Sequence, residues 1–122
     1  MEVMDFLLDR AVYALEHGID REAVILDPGF GFGKTYEHNV QLFRGLNRLQ
    51  RVGYPLLVGV SRKAMIGQVL GLPAQDRMEG SLALAVLAAE RGVRIVRVHD
   101  VKETVRALKM CAAVLDGVDS RK

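Results

Sequence analysis

Leu56-Leu57-Val58-Gly59-Val60 runs straight into Ser61-Arg62-Lys63. The first five residues are apolar without alternation, which suits a strand covered on both faces, as in a parallel sheet. Polar residues follow and open a short helical piece, Lys63 to Leu70, before the break Gly71-Leu72-Pro73. A strand, a polar end and a helix make up the repeating unit of a parallel α/β protein. The same unit stands on either side. Upstream, Ala23-Val24-Ile25-Leu26-Asp27 is apolar on both faces and closes at Pro28-Gly29. Thr35 is placed to cap a helix reaching to about Arg51, with Val40, Phe43, Leu46 and Leu49 on one face and Gly53 as its stop. Downstream, an Ala/Leu-rich helix spans Arg77 to Glu90 and ends near Gly92. Val93 to Val98 is a third strand interrupted by Arg94 and Arg97, and Val101 to Leu115 is a last helix. Ahead of all of these, Leu8, Ala11, Val12 and Leu15 mark an amphipathic helix over Met4 to Glu16, ended at Gly18.

The order is therefore α-βα-βα-βα, with connections long enough for parallel crossovers. An open doubly wound sheet and a part of a (β/α)8 barrel both satisfy it. A complete barrel takes about 250 residues, and this chain has 122. On the barrel reading it is an incomplete portion whose outer strands leave open edges. Half the residues are apolar, enough for a core and too many for bulk disorder. Lys plus Arg is 17 against 15 Asp plus Glu, too balanced for the dense basic face of a nucleic-acid binder. Aromatics make up 6% with no tryptophan, a poor base-stacking platform. The longest apolar run, Leu82 to Ala89, falls far short of the ~20 residues of a membrane span. No signal peptide is expected, because no basic start leads into an apolar run and a small-residue cleavage site. A single cysteine, Cys111, excludes an internal disulfide and fits a reducing, cytoplasmic setting.

Each strand ends in polar residues: Asp27 on the first, Ser61-Arg62-Lys63 on the second, Arg97, His99 and Asp100 on the third. Ligands of parallel α/β proteins sit beyond these carboxyl ends. Taken singly, Asp27 is a turn-former, Lys63 a solvated first-turn residue, and His99-Asp100 a helix cap. Taken together, they aim a carboxylate, an ammonium, a guanidinium and an imidazole at one rim. Arg97 and His99 share a face of their strand, which suits an anion pocket. Gly29-Phe30-Gly31-Phe32-Gly33-Lys34-Thr35 ends like a phosphate-binding loop, but Pro28 occupies the position of its first glycine. A dinucleotide fingerprint fails as well, its third glycine falling on Lys34. The loop is read instead as a cover over the sheet edge, with Phe30 on the rim and Phe32 against a flat ligand. His17 and His38 are expected at the surface, and Cys111 in packing. No Cys/His cluster has metal-ligand spacing.

Three blocks then resemble the dihydropteroate synthase family, whose members are pterin-binding barrels. They are Ile25-Leu26-Asp27-Pro28-Gly29-Phe30-Gly31-Phe32-Gly33-Lys34, Val58-Gly59-Val60-Ser61-Arg62-Lys63 and Val96-Arg97-Val98-His99-Asp100-Val101, with Arg77 and Gly80-Ser81 between the last two. The resemblance implies that residues 1–122 are one partial domain: helix 5 and βα units 6–8 of a (β/α)8 TIM barrel. It implies a transferase of folate biosynthesis. Such an enzyme joins 6-hydroxymethyl-7,8-dihydropterin pyrophosphate to p-aminobenzoate, yielding dihydropteroate and pyrophosphate. Asp27 would bond the amino-pyrimidine edge, and Lys63 the polar edge of the ring. Arg97 would stack on the pterin and hold the departing pyrophosphate with His99. Ser61 and the following helix start would take the p-aminobenzoate carboxylate, with Phe32 against its ring. Mg²⁺ is implied with its ligand in the N-terminal half, which this chain lacks. Sulfonamide competition and homodimers or other homo-oligomers are implied likewise, with no nucleic-acid or membrane partner. By itself the chain is expected to be inactive. The alternative is a non-catalytic pterin- and anion-binding half-barrel assembled through its sheet edges. A pterin-handling methyl-transfer barrel is disfavoured by the Ser61-Arg62-Lys63 and Arg97-Val98-His99 blocks.

Overall fold

The computed structural model describes residues 2–31 and 35–116. In chain order its elements are α1 (Glu2–Glu16), an extended segment bridged at Leu26, α2 (Tyr36–Arg44), α3 (Leu46–Gln50), β1 (Leu57–Val58), α4 (Ala64–Leu70), α5 (Met78–Glu90), β2 (Ile95–Val96) and α6 (Val101–Asp116). Single 3-10 turns at Arg21–Ala23 and Ala74–Asp76 lead into the first extended segment and into α5. Gly18 and Gly92 end α1 and α5 with φ of +88° and +90°. The following residues close the turns, Ile19 N–H donating to Ala14 O (3.0 Å) and Val93 N–H to Ala88 O (3.1 Å). Only glycine enters this left-handed cap without a Cβ penalty. Thr35 caps α2 as expected, its Oγ1 accepting from the His38 N–H at 3.2 Å. The single helix expected from Thr35 to Arg51 is divided at Gly45, whose φ/ψ of −90°/6° belongs to neither helix. Both pieces keep the same apolar face, with Leu42, Phe43, Leu46 and Leu49 buried.

The sheet is parallel throughout. Leu26 pairs with Leu56, Leu57 with Ile95 and Val58 with Val96, so β1 lies in the middle. The ladder runs through Leu57 N–H to Leu26 O (2.9 Å) and Arg97 N–H to Val58 O (2.9 Å). Regular pairing is shorter than the apolar runs: Ala23 is drawn into the turn Arg21–Ala23, and β1 and β2 are two residues each. The two faces differ. Val24, Leu26, Leu56, Val58 and Val60 are buried in one core with residues of α1 to α5. On the other face Ile25 is 50% exposed, and Leu57 and Ile95 are only half-buried. The expected burial of the strands on both faces is therefore corrected: among the described residues, helices cover one face only. A doubly wound sheet is clad on both, and a barrel carries its helices outside alone. The chain is a three-unit part of such a barrel, and Ile25 faces its interior. Among the described residues, no helix is long and apolar enough to cross a membrane.

Candidate active site

Asp27 leaves the sheet at the end of the first extended segment. Its Oδ1 accepts the Gly29 N–H at 2.9 Å, a local turn that fixes the carboxylate. Its Oδ2 lies 3.9 Å from Arg97 Nη1. Arg97 reaches it by crossing Gly59, the residue that follows β1 and falls opposite Arg97 when the register is continued by one step. A Cβ built at Gly59 would stand 2.9 Å from Arg97 Cζ and 2.5 Å from Nη2. The missing side chain thus gives the guanidinium a flat bed over the central strand. Arg97 is 58% and Asp27 40% exposed, so the pair adds no more than about 1 kcal/mol to stability and both groups stay open to a ligand.

Ser61 and His99 meet one step further along the strands. Buried Ser61 Oγ accepts the His99 backbone N–H at 3.2 Å and lies 2.9 Å from His99 Nδ1. In the tautomer protonated on Nε2, the serine O–H donates to Nδ1 and Nε2–H faces outward. The register explains the meeting: Ser61 and His99 share the 38-residue offset of Leu57 and Ile95. Lys63 points the other way and donates from Nζ to the Phe30 carbonyl at 2.6 Å. A cavity of about 170 Å³ opens beside it, lined by Phe30, Tyr36, Asn39, Lys63, Ala64 and Gln68 among others. Asp27, Arg97 and His99 do not line that cavity.

Between Ser61 and Lys63, Arg62 is forked on Asp100, with Nη2 to Oδ1 at 2.6 Å and Nε to Oδ2 at 3.3 Å. The hydrogen bond to Asp100 raises the Arg62 pKa above its ordinary value, against the opposing effect of burial. Phe32 lies outside the described residues. Phe30, expected on the rim, is 1% exposed and packs on Phe43 at 5.6 Å between ring centroids. His17 and His38 are exposed and Cys111 is half-buried. Asn39 was not anticipated. It is buried, and its Oδ1 accepts the Gly31 N–H at 3.0 Å, tying the glycine loop to α2. An amide one turn ahead of Phe43, on the apolar side of a helix, was the available signal. Among the described residues, no group of three or more His, Cys, Asp or Glu is gathered to hold a metal.

A parallel sheet clad by helices on one face, with ionic and hydrogen-bonding side chains at the carboxyl ends of its strands, defines an α/β-barrel protein, a class whose ligands bind at that rim. The family model described as pterin binding enzyme matches residues 1–99, and the chain belongs to that family. It is 45% identical over 121 residues to a dihydropteroate synthase of Escherichia coli (strain K12), covering 99% of this chain and 43% of the relative. The crystal structure of the Yersinia pestis dihydropteroate synthase with a sulfonamide drug complex superposes with a TM-score of 0.91. The identity there is 46%, over 94% of this chain and 42% of that one. Dihydropteroate synthase from Xanthomonas albilineans in complex with 7,8-dihydropteroate gives a TM-score of 0.91 at 47% identity, over 93% and 44%. The chain thus spans less than half the length of the curated relative it matches.

Proposed function

We propose that this chain supplies the pyrophosphate-handling part, and part of the pterin pocket, of a cytoplasmic dihydropteroate synthase. The reaction joins 6-hydroxymethyl-7,8-dihydropterin pyrophosphate to p-aminobenzoate in folate biosynthesis. The observation that carries this reading is Arg97 lying over Gly59 toward Asp27, one step from the outward edge of His99. Asp27 accepts paired hydrogen bonds from the amino-pyrimidine edge. Arg97 stacks on the ring and, with His99, takes the negative charge that builds as the carbon–oxygen bond to pyrophosphate breaks. The p-aminobenzoate nitrogen attacks that carbon and then loses its proton. An aryl amine needs little activation, so the chain's part is positioning and charge stabilisation. The cavity beside Lys63 supports a p-aminobenzoate slot there, bordered by Phe30 and by Ala64 and Met65 at the start of α4. That slot is where a sulfonamide would compete. Mg²⁺ would be held by residues outside this chain, and no step here passes through it. A homodimer or other homo-oligomer would cover Met110 and Val114, apolar residues 65% and 72% exposed one turn apart on α6.

The test is calorimetric titration with the pterin pyrophosphate, paired with a pyrophosphate-release assay. The chain alone is expected to bind weakly, to lose that binding on Asp27→Asn, and to show no turnover. A flat titration of the parent chain sinks the assignment. The second reading, a non-catalytic half-barrel assembled through its edges, is favoured by the 50% exposure of Ile25 on the open sheet face. Adding the N-terminal portion of the E. coli relative separates the two, since restored pyrophosphate release belongs to the enzyme reading alone.

A further inference from the structure

Arg62 is the one non-glycine residue with positive φ among those described, at +57°. Such a conformation persists in a bulky residue when its surroundings over-determine it. Here they do. The Arg62 N–H donates to Ser81 Oγ at 2.8 Å, and its carbonyl accepts from Arg77 Nη1 at 3.0 Å. Its guanidinium is forked on Asp100. Buried Ser81 donates its own proton to the Arg77 carbonyl at 3.0 Å. Arg77 is anchored in turn by Nε to Leu72 O at 2.9 Å, and Gly67 on α4 leaves room for its guanidinium. Groups from the loop before α5, α5 itself and the loop before α6 all converge on one residue, and α4 makes room for one of them.

We propose that Arg77, Ser81 and Asp100 form a clamp that holds Arg62 left-handed, and that this turn aims Ser61 and Lys63 at opposite neighbours. In a continued strand, residues 61 and 63 would point to the same side. With the left-handed residue between them, Ser61 turns toward β2 and holds His99. Lys63 turns toward the first extended segment and holds the Phe30 carbonyl. The clamp residues are positioning residues. Their assignment to the pterin and pyrophosphate site rests on the proposed function, but the aiming of Ser61 and Lys63 does not.

The experiment uses the chain labelled with ¹⁵N-histidine and compares Arg62→Ala, Arg62→Gly and Ser81→Ala. Alanine and glycine both remove the Asp100 fork, but glycine alone adopts φ near +57° without strain. The clamp predicts that the His99 Nδ1 and Nε2 shifts move less in Arg62→Gly, where only the Asp100 fork is lost, than in Arg62→Ala, where the turn is lost as well, and that they move in Ser81→Ala. His17 and His38 should stay put in all three and so report an intact fold. If Arg62→Ala unfolds, all three histidines move and Ser81→Ala carries the test. Parent-like His99 shifts in Ser81→Ala, or an Arg62→Gly displaced as far as Arg62→Ala, overturn the clamp. Inorganic pyrophosphate titrated into the same samples is expected to bind about tenfold more weakly to Arg62→Ala than to Arg62→Gly. A parent chain that ignores pyrophosphate while the His99 shifts follow the pattern refutes the functional reading and leaves the clamp standing.

Discussion

Gly59 shows how one absent side chain shapes the site. Its backbone φ is ordinary, so alanine fits the strand. What a Cβ would meet is the far end of Arg97, which is free to swing away. Gly59→Ala should therefore leave stability within about 1 kcal/mol of the parent, helped by the reduced freedom of the unfolded chain. The same change should lift Arg97 off its bed and away from Asp27, weakening pterin pyrophosphate binding about tenfold. Urea unfolding and calorimetry on one preparation check the two halves, and unchanged affinity would show that the bed is idle. That Asp27, Lys63, Arg97 and His99 stand at strand ends was legible in the sequence, because parallel strands expose their carboxyl ends. Their expected gathering at one rim is corrected for Lys63, which turns to the Phe30 carbonyl and a cavity the other three do not line. The Ser61–His99 and Arg62–Asp100 contacts were not legible. They follow from a 38-residue register that backbone pairing alone fixes. The left-handed turn at Arg62 was hidden for a different reason, since no glycine marks it.

The helices are the elements a sequence announces most plainly. Phe43, Leu46 and Leu49 repeat at helical spacing and are buried as expected. On α1, however, the face expected from Leu8, Ala11, Val12 and Leu15 is rotated: Leu7 and Ala11 are buried, while Val12 is 51% and Leu15 36% exposed. The strands carry too few residues for such a signal. Their apolar runs were recognisable, but the extent of pairing depends on partners distant in the chain. The split at Gly45 shows the limit from the other side, because the apolar face passes through it unbroken. Helix ends carry their own chemistry. Thr35 satisfies one of the orphan donors of α2 by accepting from His38. Thr35→Ala should lower stability by about 1 kcal/mol, as loss of a cap does. Because the cap serves α2 alone, the midpoint of urea unfolding should fall with its slope unchanged. An unaltered midpoint would mean that the cap contributes nothing to the folded chain.

At the scale of the molecule, the decisive fact is that helices lie on one side of the sheet. Leu26 and Ile25 are chain neighbours with opposite surroundings: Leu26 is buried in the core, and Ile25 lies half-exposed on the concave side. In a doubly wound protein both would be covered, and losing either would be severe. In a barrel segment only Leu26 contributes fully to the stability of this chain. Leu26→Ala should destabilise by about 2–5 kcal/mol through lost burial and the cavity left behind. Ile25→Thr keeps the branched shape that suits a strand and should change stability by less than about 1 kcal/mol. Equal losses at the two positions would contradict one-sided cladding. The same pair reports barrel completion. When further strands close over the concave face, Ile25 passes from half-exposed to buried, and its threonine variant then places an unpaired hydroxyl in an apolar interior. Ile25→Thr should thus be mild in the chain alone and should weaken its association with the N-terminal portion of a relative. Leu26→Ala should weaken the chain to the same degree with or without that portion. Denaturation curves with and without the added portion measure the contrast.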